Sequence, residues 1–329
     1  MDGNGVIADR LRTLEGGAGF LALTGAGLVR VTGPGNVDAL QRVVSQDLRG
    51  LASGAGRLAL LLAPKGQFRA LMAVFAATGE TLLMAPAGRA PELAAALRKY
   101  LALSRCAAEP VPDPGGATAV VGARWAEVAA ALGADTGALA SGGWHGGLVD
   151  GAPVSWFGRT MLGVPGAVVT GAAEEVLRRL AAAGAHPVPA AAVELARIGR
   201  GEPAWGLELT ENVLPPEVGI GEAAISYSKG CYIGQETMAR MKTYGHPTRS
   251  LVGLRQLSGD PEAPALPAPL AEAGADTTRG ALTSWARHPE LGGVGLALVR
   301  RELAAAGTRL AGAGREFEVT ALPLWQVRT

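Results

Sequence analysis

The chain has 329 residues, 48% of them hydrophobic and 18% charged, with a formal net charge of +1. That composition suits two or three folded domains and excludes intrinsic disorder. The near-neutral balance, with no long basic run, excludes a broad nucleic-acid footprint, and the absence of a long apolar run excludes a membrane span.

In chain order, GLVRVTG (27–33) alternates as a strand does, and Asn36 is a suitable N-cap for the helix that follows, with Leu40, Val43, Val44 and Leu48 on one face. RLALLLA, the turn PKGQ and FRALMAVFAA read as a hairpin, and GETLLMA as a third strand. Pro91 fits the first turn of a helix that faces Leu93, Leu97, Tyr100 and Leu101 inward. ATAVVG is a strand followed by a helix near 124–132.

Residues 133–166 are glycine-rich, with GGWHGG and WFGRTMLGVPG, and are expected to form loops and short strands. Helices return at 172–183 and 189–199, stopped by Gly184 with Pro187 and by Gly201 with Pro203. The order is that of an α+β fold. Beyond 247 the composition shifts. PEAPALPAPL (261–270) reads as a loop among four apolar or alternating runs, SLVGLRQL, GALTSWA, GGVGLALVRREL and REFEVTALPL, which predict a small all-β barrel.

The cysteines, Cys106 and Cys231, form neither a disulfide framework nor a CxxC pair, and the N-terminal MDGNGVIADRLRTLEGG lacks signal-peptide order. A reducing cytoplasm is the expected compartment. The four histidines have no ligand spacing, so no metal site is expected, and no nucleophile elbow, P-loop or dinucleotide fingerprint is present.

One stretch differs from its surroundings: SKGCYIGQETMARMKTYGHPTR, residues 228–249. Gln235 and Glu236 fall in a first helical turn, Lys242 in the last, and Gly245 and Pro247 at the stop. Cys231 lies just before this helix and two residues after Lys229, and both features favour a thiolate; the alternative is a small buried hydrophobe.

KGCYIGQE (229–236), Arg240 and GHPTRSLVGL resemble the signature of the YgfZ-type folate-binding proteins, a sister group of the glycine cleavage T-protein. VTGPGNVDALQRVVSQDL, APKGQFRALMAVF, RIGRGEPAWGLELTENVLPPEVGI and GALTSWARHPELGGVGLALVRREL are similar to other parts of that family in the same order. The resemblance implies a three-domain cloverleaf around a central folate channel. Residues 1–246 would form two interleaved α+β subdomains and 247–329 a β-barrel. It implies tetrahydrofolate or a one-carbon derivative as cofactor, iron-sulfur enzymes or assembly proteins as partners, and no direct contact with nucleic acid or membrane. Cys231, assisted by Lys229, would be the functional thiol, acting by redox exchange, metal contact or docking.

Glu217 in LPPEVGI would accept the two-donor edge of the pterin. Arg240 and Arg249 would meet the anionic tail, Arg197 would serve the channel or flank its helix, and Tyr232 would stack near the pterin or fill the core. The T-protein's paired aspartates align with Arg69 and Ala70, and RTMLGVPGA replaces its TGYTGE loop, so aminomethyl transfer is not expected. A folate-dependent aminomethyl or methyl transferase and a ligand-free scaffold are the alternatives.

Overall fold

The computed structural model describes residues 3–25, 27–112 and 115–325. Helix α1 (Gly3–Gly16) leads into β1 (Gly19–Leu23), after which the chain leaves to build a different sheet. That sheet contains β2 (Leu28–Thr32), β3 (Gly56–Leu62), β4 (Phe68–Ala77), β5 (Glu80–Met84) and β6 (Ala107–Pro110), antiparallel in the order β3-β4-β5-β2-β6. Helices α2 (Asn36–Gln41) and α3 (Ala90–Leu101) are interspersed among its strands.

The unbroken apolar run of β4 has a physical cause. Met72 and Val74 face one core with Leu40, Leu93 and Leu97, while Ala73 and Phe75 face another shared with Ala119 and Val168. A strand buried on both faces loses alternation.

Two local expectations change. Asn36 does not cap α2; Gly35, with φ 63°, occupies that position. Asn36 instead accepts from Thr81 Oγ1 (2.6 Å) and donates to Gly33 O (3.1 Å), tying α2 to β5. The helix also stops at Gln41, although Val43, Val44 and Leu48 continue the apolar face as turns against the same core.

The second sheet is built from β7 (Ala117–Val121), β8 (Trp144–Val149), β9 (Ala152–Phe157), β10 (Gly166–Thr170) and the short β11 (His186–Pro187), with α4 (Trp125–Ala131), α5 (Thr136–Ala140), α6 (Ala173–Ala182) and α7 (Ala190–Arg200) between or beyond them. β1 returns to pair between β11 and β7, giving the order β11-β1-β7-β10-β9-β8. The N-terminal strand therefore belongs to the later sheet, and the two α+β units interleave along the chain.

The glycine-rich segment is more regular than its composition suggests. In GGWHGG, Trp144 Nε1 donates to Ala76 O of the first sheet (2.7 Å), and its ring stacks on Phe157 with centroids 6.0 Å apart. His145 Nε2 accepts from Asp135 N (2.9 Å). The motif is a joint between the two sheets.

After irregular chain and α8 (Gly221–Ala224), helix α9 (Gln235–Tyr244) precedes six strands: β12 (Arg249–Gly259), β13 (Ala268–Glu272), β14 (Thr278–His288), β15 (Gly292–Arg300), β16 (Arg309–Gly312) and β17 (Arg315–Thr320). They close a barrel in the order β12-β15-β14-β13-β16-β17 around Leu254, Leu282, Leu310 and Phe317. The sequence announces four of these strands. β13 begins inside PEAPALPAPL, which is therefore not all loop, and β16 is too short to show a period. Among the described residues no helix is long and apolar enough to cross a membrane.

Candidate functional site

Three β-sheets meet around two adjoining cavities of about 400 and 630 Å³. Leu58, Arg159, Glu202, Pro203 and Ile220 line both, so the two are neighbouring chambers with a common wall, together the channel between the sheets. Leu58 comes from β3 of the first sheet, Arg159 from the loop after β9 of the second, and the larger chamber adds Ser250 and Leu251 from β12 of the barrel. The channel exists only where all three sheets are assembled.

Glu217 lines the larger chamber from a 3-10 turn, Pro215–Val218, that two prolines open. It is 5% exposed. Its oxygens accept from Arg249 Nε (2.9 Å) and Nη2 (2.7 Å), and Oε2 also accepts from Leu214 N (3.0 Å). Arg249 further donates to Asn212 O (2.6 Å). The sequence assigned these residues to opposite ends of a ligand; the structure brings them together as a two-pronged ion pair that, with Asn212 O, engages Nε and Nη2 of Arg249 and leaves Nη1.

Arg240 is placed elsewhere. It projects from α9 with its side chain 72% exposed and pairs with Glu236 at 2.9 Å, a surface i,i+4 bridge. Arg197 is 2% exposed and committed to protein partners: Nε and Nη2 to Glu194 (2.8 and 2.6 Å), Nη1 to Glu208 (3.2 Å) and to Glu202 O, and Nη2 to Ser284 Oγ (2.6 Å). Glu208, wholly buried, also accepts from Thr283 Oγ1 (2.7 Å) and Ser284 Oγ (2.6 Å). This network fastens α7 to barrel strand β14.

The KGCYIGQE motif is a knot of packing contacts. Lys229 Nζ donates to Gln41 O (2.6 Å), Val44 O (2.8 Å) and Gln46 O (2.8 Å), so all three ammonium protons hold the loop after α2. Burial pulls the Lys229 pKa down to about 8, with Asp47 opposing and Arg49 adding to the fall. The ammonium's hydrogen bonds thus go to these carbonyls and none to Cys231.

Tyr232 is buried beside Leu62, Phe68 and Met238, with Lys229 Nζ 5.4 Å from its ring centroid, and burial pushes its hydroxyl up to about 12. Gly234 adopts φ 82°, and a Cβ there would lie 2.7 Å from Ala63 O, so only glycine lets α9 start against the β3–β4 turn. Cys231 is exposed at the surface of this knot, not a core filler.

Arg69 pairs with Glu211 (2.8 Å) and Ala70 is buried, so neither supplies a carboxylate. Among the described residues no group of three or more His, Cys, Asp or Glu side chains is arranged to hold a metal ion.

Sequence reasoning passed over three channel residues. Arg159 and Arg200 each keep a buried Nε without a hydrogen-bond partner, and Glu202 lies with them in the smaller chamber. Glu202 is exposed on the channel wall, and partial desolvation raises its pKa against the pull of Arg200 and Arg197. Their segments, WFGRTMLGVPG and RIGRGEP, were quoted above, but nothing in spacing alone turns those side chains toward one cavity.

The family model described as the GCVT N-terminal domain matches residues 4–229. The Arabidopsis thaliana protein named "Putative transferase At1g60990, chloroplastic" is 41% identical over 104 residues, covering 32% of this chain and 23% of that protein. The Aminomethyltransferase of Shouchella clausii is 34% identical over 148 residues, covering 44% of this chain and 39% of that protein. The chain's match thus spans well under half the length of either relative. The crystal structure of glycine cleavage system aminomethyltransferase T from Bartonella henselae superposes with a TM-score of 0.83 over 98% of this chain and 90% of that one, at 20% identity. The fold is the mixed α+β T-protein-like fold with a closed C-terminal barrel, and the chain belongs to the GCVT N-terminal domain family.

Proposed function

We propose that this protein binds a reduced folate, tetrahydrofolate or a one-carbon derivative, in the inter-sheet channel. We further propose that it supports assembly or repair of iron-sulfur enzymes in the cytoplasm, tRNA-thiolating ones included, in the manner of the YgfZ-type proteins. The observation that carries the reading is a channel with both acceptor and cationic groups on its wall: Glu217, Glu202 and Arg159.

The residues fit such a ligand. Leu58, Ile220 and Leu251 offer apolar surface to a flat ring. A carboxylate has about four acceptor positions, and Glu217 has three hydrogen bonds, so one position remains for a pterin donor. The Glu202 carboxyl receives no hydrogen bond among the described residues and offers a second acceptor. When bound, the folate would supply one-carbon chemistry at its N5 and N10 nitrogens. Cys231, exposed at the surface of the KGCYIGQE knot, is the thiol for partner, redox or cluster contact.

A folate-dependent aminomethyl or methyl transferase is the second reading, favoured by the names of the relatives above. Against it stand Arg69, engaged with Glu211, and Ala70, at the positions expected to carry aspartates.

The test is a titration with tetrahydrofolate and its 5-formyl and 5-methyl derivatives. A ligand selective for the native state raises the melting temperature according to RT ln(1 + [L]/Kd). Wild type should shift upward and Glu217→Gln less so. No shift with any reduced folate at millimolar concentration would end the folate reading.

A further inference from the structure

Buried arginines elsewhere in this fold are satisfied. Arg197 meets two carboxylates, a hydroxyl and a carbonyl, and Arg315 donates to the carbonyls of Asp260, Ala313 and Glu262. The half-buried Arg159 and Arg200 differ. Both Nε atoms are buried and unpartnered, and among the described residues neither guanidinium makes a hydrogen bond or ion pair. Both line the same 400 Å³ chamber. The two come from separate elements, the loop after β9 and the last residue of α7.

A buried guanidinium N–H without an acceptor is costly, and arginine cannot relieve the cost by losing its proton. Burial does pull the Arg159 pKa below its ordinary value. The carboxyl-terminal end of α7 favours a cation at Arg200, but it does not account for the missing partner. The position of Arg159 is itself built. Gly142, with φ +83°, lies flat beneath its guanidinium, and a Cβ there would come within 3.1 Å of Nη2 and 3.3 Å of Nε.

We propose that Arg159 and Arg200 form a carboxylate seat in the smaller chamber, which binds the anionic tail of the channel ligand while its hydrogen-bond-donating head lies in the larger chamber near Glu217. The identity of that ligand rests on the folate reading above; the seat is defined by its own chemistry, two planar donors that match a carboxylate or similar oxyanion. Arg159 lies on the wall common to both chambers, where a ligand passing from one to the other must meet it. Glu202, on the same wall, has its pKa raised by desolvation against the opposing pull of Arg200 and Arg197. The role of tail recognition thereby moves from Arg240, a surface residue, and Arg249, paired with Glu217 and off the chamber lining, to two residues that line the chamber with their donors free.

The experiment compares wild type with Arg159→Gln, Arg200→Gln and the charge-retaining Arg159→Lys. The probes are 5-formyltetrahydrofolate, the matching pteroate that lacks the glutamate, and inorganic phosphate. Affinity is read by calorimetry, and folding by the melting temperature without ligand. Wild type should prefer the folate over the pteroate by at least about tenfold, a difference of about 1.4 kcal/mol. Either glutamine variant should lose that preference while its pteroate affinity stays unchanged, and Arg159→Lys should keep part of it. Without ligand, Arg159→Gln should melt no lower than wild type, since it removes a buried Nε–H that has no acceptor.

Equal folate affinity in wild type and both glutamine variants would overturn the seat, as would parallel loss of folate and pteroate binding. If wild type binds neither pterin but phosphate raises its melting temperature and not that of the variants, the seat stands and the folate reading falls. If phosphate also has no effect in that case, both are wrong.

Discussion

Glu217 and Arg249 join the turn before α8 to the first barrel strand through two parallel hydrogen bonds of 2.9 and 2.7 Å. The carboxylate is 4% exposed and the guanidinium 32%. Removing one partner of a buried pair costs about 3–5 kcal/mol, because the other charge stays behind unpaired. Arg249 is partly open to solvent, so Arg249→Leu should cost about 3 kcal/mol, read from the urea midpoint. Glu217→Leu combined with Arg249→Leu should recover much of that loss. A single variant as stable as wild type would show that the pair does not anchor the barrel.

Lys229 gives a pH dependence of defined sign. Its pKa is about 8 in the folded protein against an ordinary 10.5. Between those values the unfolded chain holds the proton and the folded chain does not, so stability rises with pH, by up to about 1.4 kcal/mol per unit. Tyr232 acts in the opposite sense at higher pH. Its pKa is raised from 10.0 to about 12, so the stability it contributes is present below 10 and is lost as pH rises through 12. The clean window is therefore pH 8 to 10. Urea midpoints should climb across it in wild type and stay flat in Lys229→Met. That variant should also be less stable at pH 7, because the carbonyls of Gln41, Val44 and Gln46 lose their donor. A flat wild-type profile would refute the assignment.

Cys231 is exposed, whereas Cys106 is 7% exposed with Sγ against Pro34 O and Ser104 O. Iodoacetamide should label Cys231 well before Cys106 in the native protein, as mass spectrometry of tryptic peptides would show. Cys231→Ala should leave the melting temperature and folate affinity unchanged, yet fail to restore iron-sulfur enzyme activity in cells lacking the protein. Full rescue by that variant would remove the thiol from the mechanism.

Arg69 and Ala70 predict a negative result in a reconstituted glycine cleavage reaction. The protein, mixed with the other components and tetrahydrofolate, should produce methylenetetrahydrofolate no faster than the mixture without it. Replacing Arg69 and Ala70 with two aspartates tests whether the missing carboxylates are the whole reason. Wild-type turnover comparable to that of an aminomethyltransferase would establish the transferase reading instead.

The sequence by itself determined the elements whose residues repeat with a period and end in glycine or proline. Helices α3, α7 and α9 and four barrel strands are of this kind, and the β3–β4 hairpin is marked by its turn PKGQ between two apolar runs, because local periodicity and turn chemistry act within a few residues. It also marked KGCYIGQE, where Gly234 meets a backbone no side chain would fit and Lys229 directs three donors to three carbonyls. Only the tertiary structure decided where charges find partners. Lys229 reaches carbonyls at 41, 44 and 46, and Arg249 meets a carboxylate 32 positions away, while Arg159 and Arg200 converge on one chamber and find none. Long flexible side chains are aimed by packing, and packing joins residues far apart in sequence. The same arginine letter therefore stands for a surface pair at 240, a structural rivet at 197 and a free donor at 159.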